Sequence, residues 1–224
     1  ILKDRVEGQW YVEPFVGGGN LIDKVDGNRK GADSSAHVIL ALSFIRDGAI
    51  PENNKKFTED SYNLAAKMAR QGNLNSYADG VYCYALIAFS FSAKWIGGWC
   101  RGKNLKGKDR DYVAEQYRAS LKQKPLLKGV WLEHCSYNEL LIPNNSIVYC
   151  DSPYKGTTGY KDKFDHDSYF DWCREMTKKG HQVFISEYNA PSDFKCIWQQ
   201  ELNVSVSRNG KQKTAIEKLF IYNG

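Results

Sequence analysis

The sequence predicts an α/β chain with one mostly parallel sheet, a basic helical segment inserted midway and an antiparallel strand pair at its end. Three observations carry this expectation. Short apolar runs of strand length alternate with stretches of helical spacing, as in a parallel sheet with crossover helices. The first apolar run is followed at once by a glycine-rich turn, Gly17-Gly18-Gly19. The last two runs flank Arg208-Asn209-Gly210-Lys211, and Asn-Gly between β-rich runs marks a hairpin.

Trp10-Tyr11-Val12 reads as the end of a buried strand, and a short helix through Leu21 and Ile22 is expected after the glycines. Residues 29–33 read as a second strand ending in an acid. Residues 35–46 carry Val38, Ile39, Leu42 and Ile45 at helical spacing. Residues 61–70 fit an amphipathic helix, whereas 81–91 mix small and aromatic residues so that helix and buried strand both remain open. Residues 146–150 form a short apolar strand leading into Asp151, residues 164–179 a helix, and 182–186 another buried strand. Residues 203–207 and 215–222 make the closing pair.

The chain's 224 residues suit one α/β domain with an inserted lobe. Hydrophobic residues make up 42% and charged residues 25%, which supplies a core and argues against global disorder. No apolar run reaches the roughly 20 residues of a membrane span. The first residues lack an initiator Met and a signal-peptide apolar region, so the chain is expected to begin inside its natural reading frame. The six cysteines include no C-x-x-C pair and complete no zinc spacing with the four histidines, which predicts free thiols in a reducing cytosol and no metal. Between Lys94 and Lys128, ten Lys/Arg face three Asp/Glu. This local +7 exceeds the +5 of the whole chain, so the remainder is slightly acidic.

Two segments carry chemistry. Glycines between a first strand and a first helix bring backbone N–H groups close to a ligand at the carboxyl edge of a parallel sheet. The spacing is not G-x-G-x-x-G, so the dinucleotide fingerprint fails, and a structural turn is the plain alternative. Asp33, ending the next strand, is placed to accept hydrogen bonds from ribose hydroxyls, although acids at strand ends are often only solvated. In the second segment, Val148-Tyr149-Cys150 delivers Asp151-Ser152-Pro153-Tyr154 to the same edge. An exocyclic amine on a nucleobase is a poor nucleophile because its lone pair is delocalised into the ring. A carboxylate and a backbone carbonyl that each accept one N–H free that lone pair, after which attack on a sulfonium methyl needs mainly alignment. An aromatic beside them can stack on a base drawn out of the duplex, worth about 1–3 kcal/mol.

Glu13-Pro14-Phe15-Val16-Gly17-Gly18-Gly19 resembles the cofactor motif of the Dam-like DNA adenine methyltransferases, and Asp151-Ser152-Pro153-Tyr154 resembles their Asp-Pro-Pro-Tyr catalytic motif. The order, cofactor motif, inserted recognition lobe, catalytic motif, is similar over nearly the whole chain. The resemblance implies an S-adenosylmethionine-dependent methyltransferase fold of Rossmann-like type, with a seven-stranded sheet, a reversed terminal hairpin and a helical target-recognition lobe. It implies that Glu13, Pro14, Phe15, Gly17, Gly19 and Asp33 hold S-adenosylmethionine and that Asp151, Ser152, Pro153 and Tyr154 form the catalytic segment. In three places the chain departs from the family. Ser152 stands where the first proline is usual, but the family uses that residue's backbone carbonyl. Cys135-Ser136-Tyr137 occupies the place of an acid and an aromatic that contact the cofactor's adenine, so Ser136 and Tyr137 are the matching pair. The family also begins with a segment whose lysine closes over the cofactor, and the twelve residues before Glu13 contain no match for it.

The stretch from Lys94 to Lys108 interleaves cations with two tryptophans and four glycines. Cations suit phosphates and glycines let a loop follow a groove, although a charge run is usually a solvated face. Coincidence with the family's recognition lobe points to Lys94, Trp95, Arg101, Lys103, Lys106 and Lys108 as DNA contacts. The expected division is a catalytic domain of residues 1–49 and 131–224 with a recognition lobe of residues 50–130. The loop 155–160 is a candidate lid. The implied partner is double-stranded DNA in the cytoplasm of a bacterial or phage-infected cell, met by a monomer or weak dimer. Rival readings are a cytosine-N4 methyltransferase, a non-catalytic DNA-binding module of the same fold and, disfavoured by its glycine spacing, a nicotinamide oxidoreductase.

Overall fold

The computed structural model describes residues 1–154, 164–204 and 213–224. Seven strands form one sheet in the order β3-β2-β1-β4-β5-β7-β6. They are β1 (Tyr11–Glu13), β2 (Arg29–Asp33), β3 (Trp131–His134), β4 (Ile147–Cys150), β5 (Gln182–Glu187), β6 (Phe194–Val204) and β7 (Lys213–Tyr222). Strands β2, β1, β4 and β5 run parallel, while β7 is antiparallel to both β5 and β6. The expected mixed α/β architecture with a reversed terminal pair is present. The Asn-Gly hairpin tip and the loop 155–160 lie outside the described residues.

Two compact units divide the chain. The first comprises residues 1–16, 27–32 and 136–224. Its strand β4 is buried throughout, because Ile147-Val148-Tyr149-Cys150 is covered on both faces and so reads as a continuous apolar run. Helix α5 (His166–Lys178) begins at Asp165, whose carboxylate accepts from the amides of Asp167 and Ser168. It buries Tyr169, Phe170, Trp172, Cys173 and Met176. Tyr169, Trp172, Cys173 and Met176, at i, i+3, i+4 and i+7, make one apolar stripe, and Phe170 flanks it.

The second unit comprises residues 17–26 and 33–135. It holds a short 3-10 turn at Ile22–Lys24 and four α-helices: α1 (Ala36–Asp47), α2 (Glu59–Arg70), α3 (Gly80–Ala88) and α4 (Tyr112–Leu126). Thr58 caps α2 reciprocally with Ser61, each side chain accepting from the other's backbone N–H. Residues 81–91, ambiguous by pattern, are mostly helix. Helix α3 buries Cys83, Tyr84, Ala85 and Leu86, and a Cβ on Gly80 would lie 2.9 Å from both Leu40 O and Phe44 Cβ of α1. Helix α4 within the basic stretch is not visible as an apolar pattern, since Val113 and Ser120 are its buried positions. Its start is fixed by Asp111, which accepts from the amide of Ala114 at 2.9 Å.

Candidate active site

In the first unit, β1 and β4 are hydrogen-bonded neighbours in register Tyr11 with Ile147 and Val12 with Val148. The chain passes from β1 to β2 on one side and from β4 to β5 on the other, so strand order reverses between β1 and β4. Ligands of open α/β sheets bind beyond the carboxyl ends of strands at such a reversal. Glu13-Pro14-Phe15 leaves β1 at that end, and Asp151-Ser152-Pro153-Tyr154 leaves β4 there.

Glu13 is buried and accepts a hydrogen bond of 2.9 Å from the Tyr11 hydroxyl two residues back on the same strand face. Burial, reinforced by the Glu13 charge, raises the Tyr11 pKa far above the tyrosine range and keeps that hydroxyl a donor. Phe15 is half-buried among rings. Its centroid lies 5.4 Å from Tyr137, 5.8 Å from Phe164 and 5.7 Å from Tyr169. Tyr137 also packs edge-on against Trp172. Ser136 is partly exposed, and its amide donates to Glu139 Oε2.

Asp151 is open to solvent on one side. Protein packed around the rest of it raises its pKa, and the Glu217 and Glu187 charges raise it further, against a lowering hydrogen bond from Tyr154. Ser152 is buried, and its Oγ lacks a hydrogen-bond partner. The Tyr169 hydroxyl is also buried without one, with Cys150 and Ser152 as polar neighbours. The two hydroxyls are close enough to influence each other but do not complete an aligned bond. Pro153 is partly exposed. Tyr154 is half-buried and packs edge-on at 4.7 Å against Tyr188. Its hydroxyl lies 2.9 Å from Ser186 Oγ and donates toward Glu217 Oε1 at 3.3 Å.

In the second unit, Asp33 ties the glycine turn to the start of α1. One carboxylate oxygen accepts from the amide of Gly17 at 3.2 Å and the other from that of Ser35 at 2.8 Å. Burial raises the Asp33 pKa, and these two amides and His134 counter it. Two acceptor bonds leave lone pairs on both oxygens. Gly17 and Gly19 have φ of 46° and 67°, which favours glycine. No atom lies within 4 Å of a Cβ built on Gly17, whereas Gly18 O accepts from Gln123 of α4 at 2.9 Å. A cleft of about 620 Å³ in this unit is lined by Gly17, Gly18, Leu42, Tyr84, Trp95 and Gln123, among others.

The predicted DNA contacts all lie in this unit. Lys94, Arg101, Lys103, Lys106 and Lys108 are exposed, whereas Trp95 is partly buried and stacks on His37 at 4.0 Å. Arg101 is ion-paired with Glu59. Asn104 organises the lysine-bearing tip by accepting from the amides of Lys106 and Lys108.

Sequence reasoning missed Ser186, Glu187 and Glu217. Glu187 ends parallel strand β5 as Asp33 ends β2, so the strand-end signal could have found it. Glu217 stands two residues before the apolar run Leu219-Phe220-Ile221, which gives no such signal. His166, with no evident partner in sequence, places Nδ1 4.0 Å from Glu187 Oε1. Among the described residues, no helix is long and apolar enough to cross a membrane, and no cluster of three or more His, Cys, Asp and Glu could hold a metal ion. Compared with known proteins, the chain matches no family model and no curated protein.

Proposed function

We propose that this chain is an S-adenosylmethionine-dependent DNA methyltransferase acting on the exocyclic amino group of adenine. The observation that carries the reading is the emergence of the two motif segments from the carboxyl ends of adjacent parallel strands, β1 and β4, at the reversal of strand order. The resemblance of both segments to the Dam-like motifs supplies the chemistry.

Atoms of the chain fit the cofactor. The open Cβ position at Gly17 leaves the turn's backbone approachable, and Asp33 keeps acceptor capacity for a ribose. The half-buried Phe15 and Tyr137 present ring surface suited to a purine. By the resemblance, Glu13, Pro14, Phe15, Gly17, Gly19, Asp33, Ser136 and Tyr137 are the residues that would hold S-adenosylmethionine. When bound, it supplies a methyl group on a sulfonium whose sulfur leaves with the bonding pair.

The chain's own work is on the amine. The Asp151 carboxylate and the Ser152 backbone carbonyl each accept one N–H, which turns the nitrogen lone pair toward the methyl group. Nitrogen gains one bond to carbon and then loses one proton, for which Asp151 is the positioned acceptor. Only ionised Asp151 can do this, and its raised pKa improves it as a proton acceptor. Pro153 stiffens the segment, and Tyr154 offers a ring whose hydroxyl is already anchored. Lys94, Trp95, Arg101, Lys103, Lys106 and Lys108 serve duplex DNA, the lysines through phosphates.

The test is incubation with radiolabelled S-adenosylmethionine and unmethylated duplex DNA of mixed sequence, followed by nucleoside digestion and chromatography. The expected result is label in N6-methyladenosine. Label in a cytosine product would replace adenine by cytosine as the substrate, and absence of label would overturn catalysis by this chain.

A further inference from the structure

We propose that Glu217 is a positioning residue for the Asp151-Ser152-Pro153-Tyr154 segment, anchoring the Tyr154 hydroxyl from the neighbouring antiparallel strand. The inference rests on the methyl-transfer reading for its consequence in catalysis, but its geometry belongs to the first unit alone.

Strand β7 returns antiparallel to β5, with Ser186 opposite Leu219 and Glu187 opposite Lys218. This register brings the next residue, Glu217, level with the carboxyl end of β5. Ser186 Oγ donates to Glu217 Oε1 at 2.9 Å, Tyr154 Oη lies 2.9 Å from Ser186 Oγ, and Tyr154 donates toward the same Glu217 oxygen at 3.3 Å. One carboxylate oxygen therefore gathers two hydroxyls from two elements. Each hydroxyl has a single proton. Ser186 directs its proton to Glu217, so its lone pairs are free to accept from Tyr154. Tyr154 has three acceptors in reach: Ser186, Glu217 and Asp151. Its ring is held at one end by Tyr188 and at the other by this set.

Among the described residues, the groups that bear on Asp151 are Tyr149 and the buried thiol Cys150 of β4, Tyr154 of its own segment, Glu187 of β5 and Glu217 of β7. Glu187 and Glu217 are the carboxylates among them, and the two hydroxyls and the thiol have pKa values raised by burial. Like charges at close range favour the protonated form of Asp151, whereas a donated hydrogen bond favours the ionised form. Glu217 thus acts on Asp151 in two ways, directly by its charge and indirectly by competing for the Tyr154 proton. Both effects raise the proton affinity of Asp151; without its charge Glu217 loses the first and, as a neutral acceptor, keeps only a weakened form of the second. The same concentration of acceptors favours a ligand group that brings N–H donors.

A residue that merely tied β7 to β5 would alter stability and leave Asp151 ionisation untouched. The experiment is therefore a pH titration by NMR of the 13C-labelled Asp151 carboxyl in the ligand-free protein, its signal assigned with Asp151→Asn. Wild type is compared with Glu217→Gln, which keeps shape and hydrogen bonding but removes the charge, and with Tyr154→Phe, which keeps the ring but removes the donor. The Asp151 midpoint is expected to fall in Glu217→Gln and to rise in Tyr154→Phe. In the methyl-transfer assay the acid limb of the pH profile moves in the same two directions. An unchanged Asp151 midpoint in Glu217→Gln overturns the inference, and if that variant does not fold, an unchanged midpoint in Tyr154→Phe does so. Opposed midpoint shifts in a protein that transfers no methyl group would support the positioning role and overturn the methyl-transfer reading, so the two failures are distinct.

Discussion

Removing the Tyr169 hydroxyl should stabilise this protein, which is unusual for a change at a fully buried side chain. The tyrosine is completely enclosed, and its ring packs against Phe15, Tyr137, Phe164 and Phe170, contacts that phenylalanine would keep. Its hydroxyl completes no hydrogen bond, and neither does Ser152 Oγ beside it. A buried polar group left unpaired costs about 1–3 kcal/mol. Because each hydroxyl partly relieves the other, the lower end applies, and Tyr169→Phe is expected to gain about 1 kcal/mol. For a chain of this size that is a rise of about 2–4 °C in Tm. Ser152→Ala should act similarly and preserve activity, since the proposed chemistry uses the Ser152 backbone carbonyl. The double variant should exceed either single one, because removing one hydroxyl still leaves the other orphaned. The assay is thermal and urea unfolding of all four proteins under one buffer condition. A loss of about 1 kcal/mol or more in both single variants would refute the reasoning, since it would mean that the hydroxyls are bonded in solution.

Gly19→Ala should destabilise the second unit by about 1–2 kcal/mol, the cost of a left-handed residue with a Cβ. Its Cβ would also meet Leu42 Cδ2 at 3.2 Å, and unfolding by urea measures the loss. Asp151→Asn should abolish methyl transfer without lowering stability at neutral pH. Folding raises the Asp151 pKa, so this group's stabilising contribution is present at acidic pH, below its unfolded value, and is lost as pH rises through the folded value. The asparagine variant escapes that loss, and parallel unfolding and transfer assays across pH separate the two effects. Wild-type transfer should fall as pH drops through the raised folded pKa; a rate that rises there would contradict the acceptor role of Asp151. Neutralising Lys103, Lys106 and Lys108 together should weaken duplex binding and reduce its log–log salt slope by up to about 3, close to one per phosphate contact. An unchanged slope would mean that the exposed tip organised by Asn104 does not meet phosphates.

Legibility from sequence followed the physics that each element depends on. Strand β4 and the acid after it were readable because a strand buried on both faces must be apolar throughout, and Asp151 interrupts that run. Helix α4 was not, because its buried face includes Ser120, which bonds Tyr84 at 3.0 Å instead of adding an apolar position. The segment 81–91 was undecidable by periodicity because α3 buries residues on several faces; packing against α1, with Gly80 at the close approach, accompanies the helix. At the candidate site the difference is sharper. Asp33 and Asp151 stand at the carboxyl ends of parallel strands and could be read from the strand pattern, whereas Glu13 was legible through the resemblance of its motif. Glu217 reaches the same region from an antiparallel strand. Its position depends on the register of β7 against β5, which is set by pairing between segments some thirty residues apart and written in neither segment alone. A carboxylate that acts through Tyr154 and Ser186 is legible only after that register is known, which is why the groups tuning a site are harder to read than the groups that perform its chemistry.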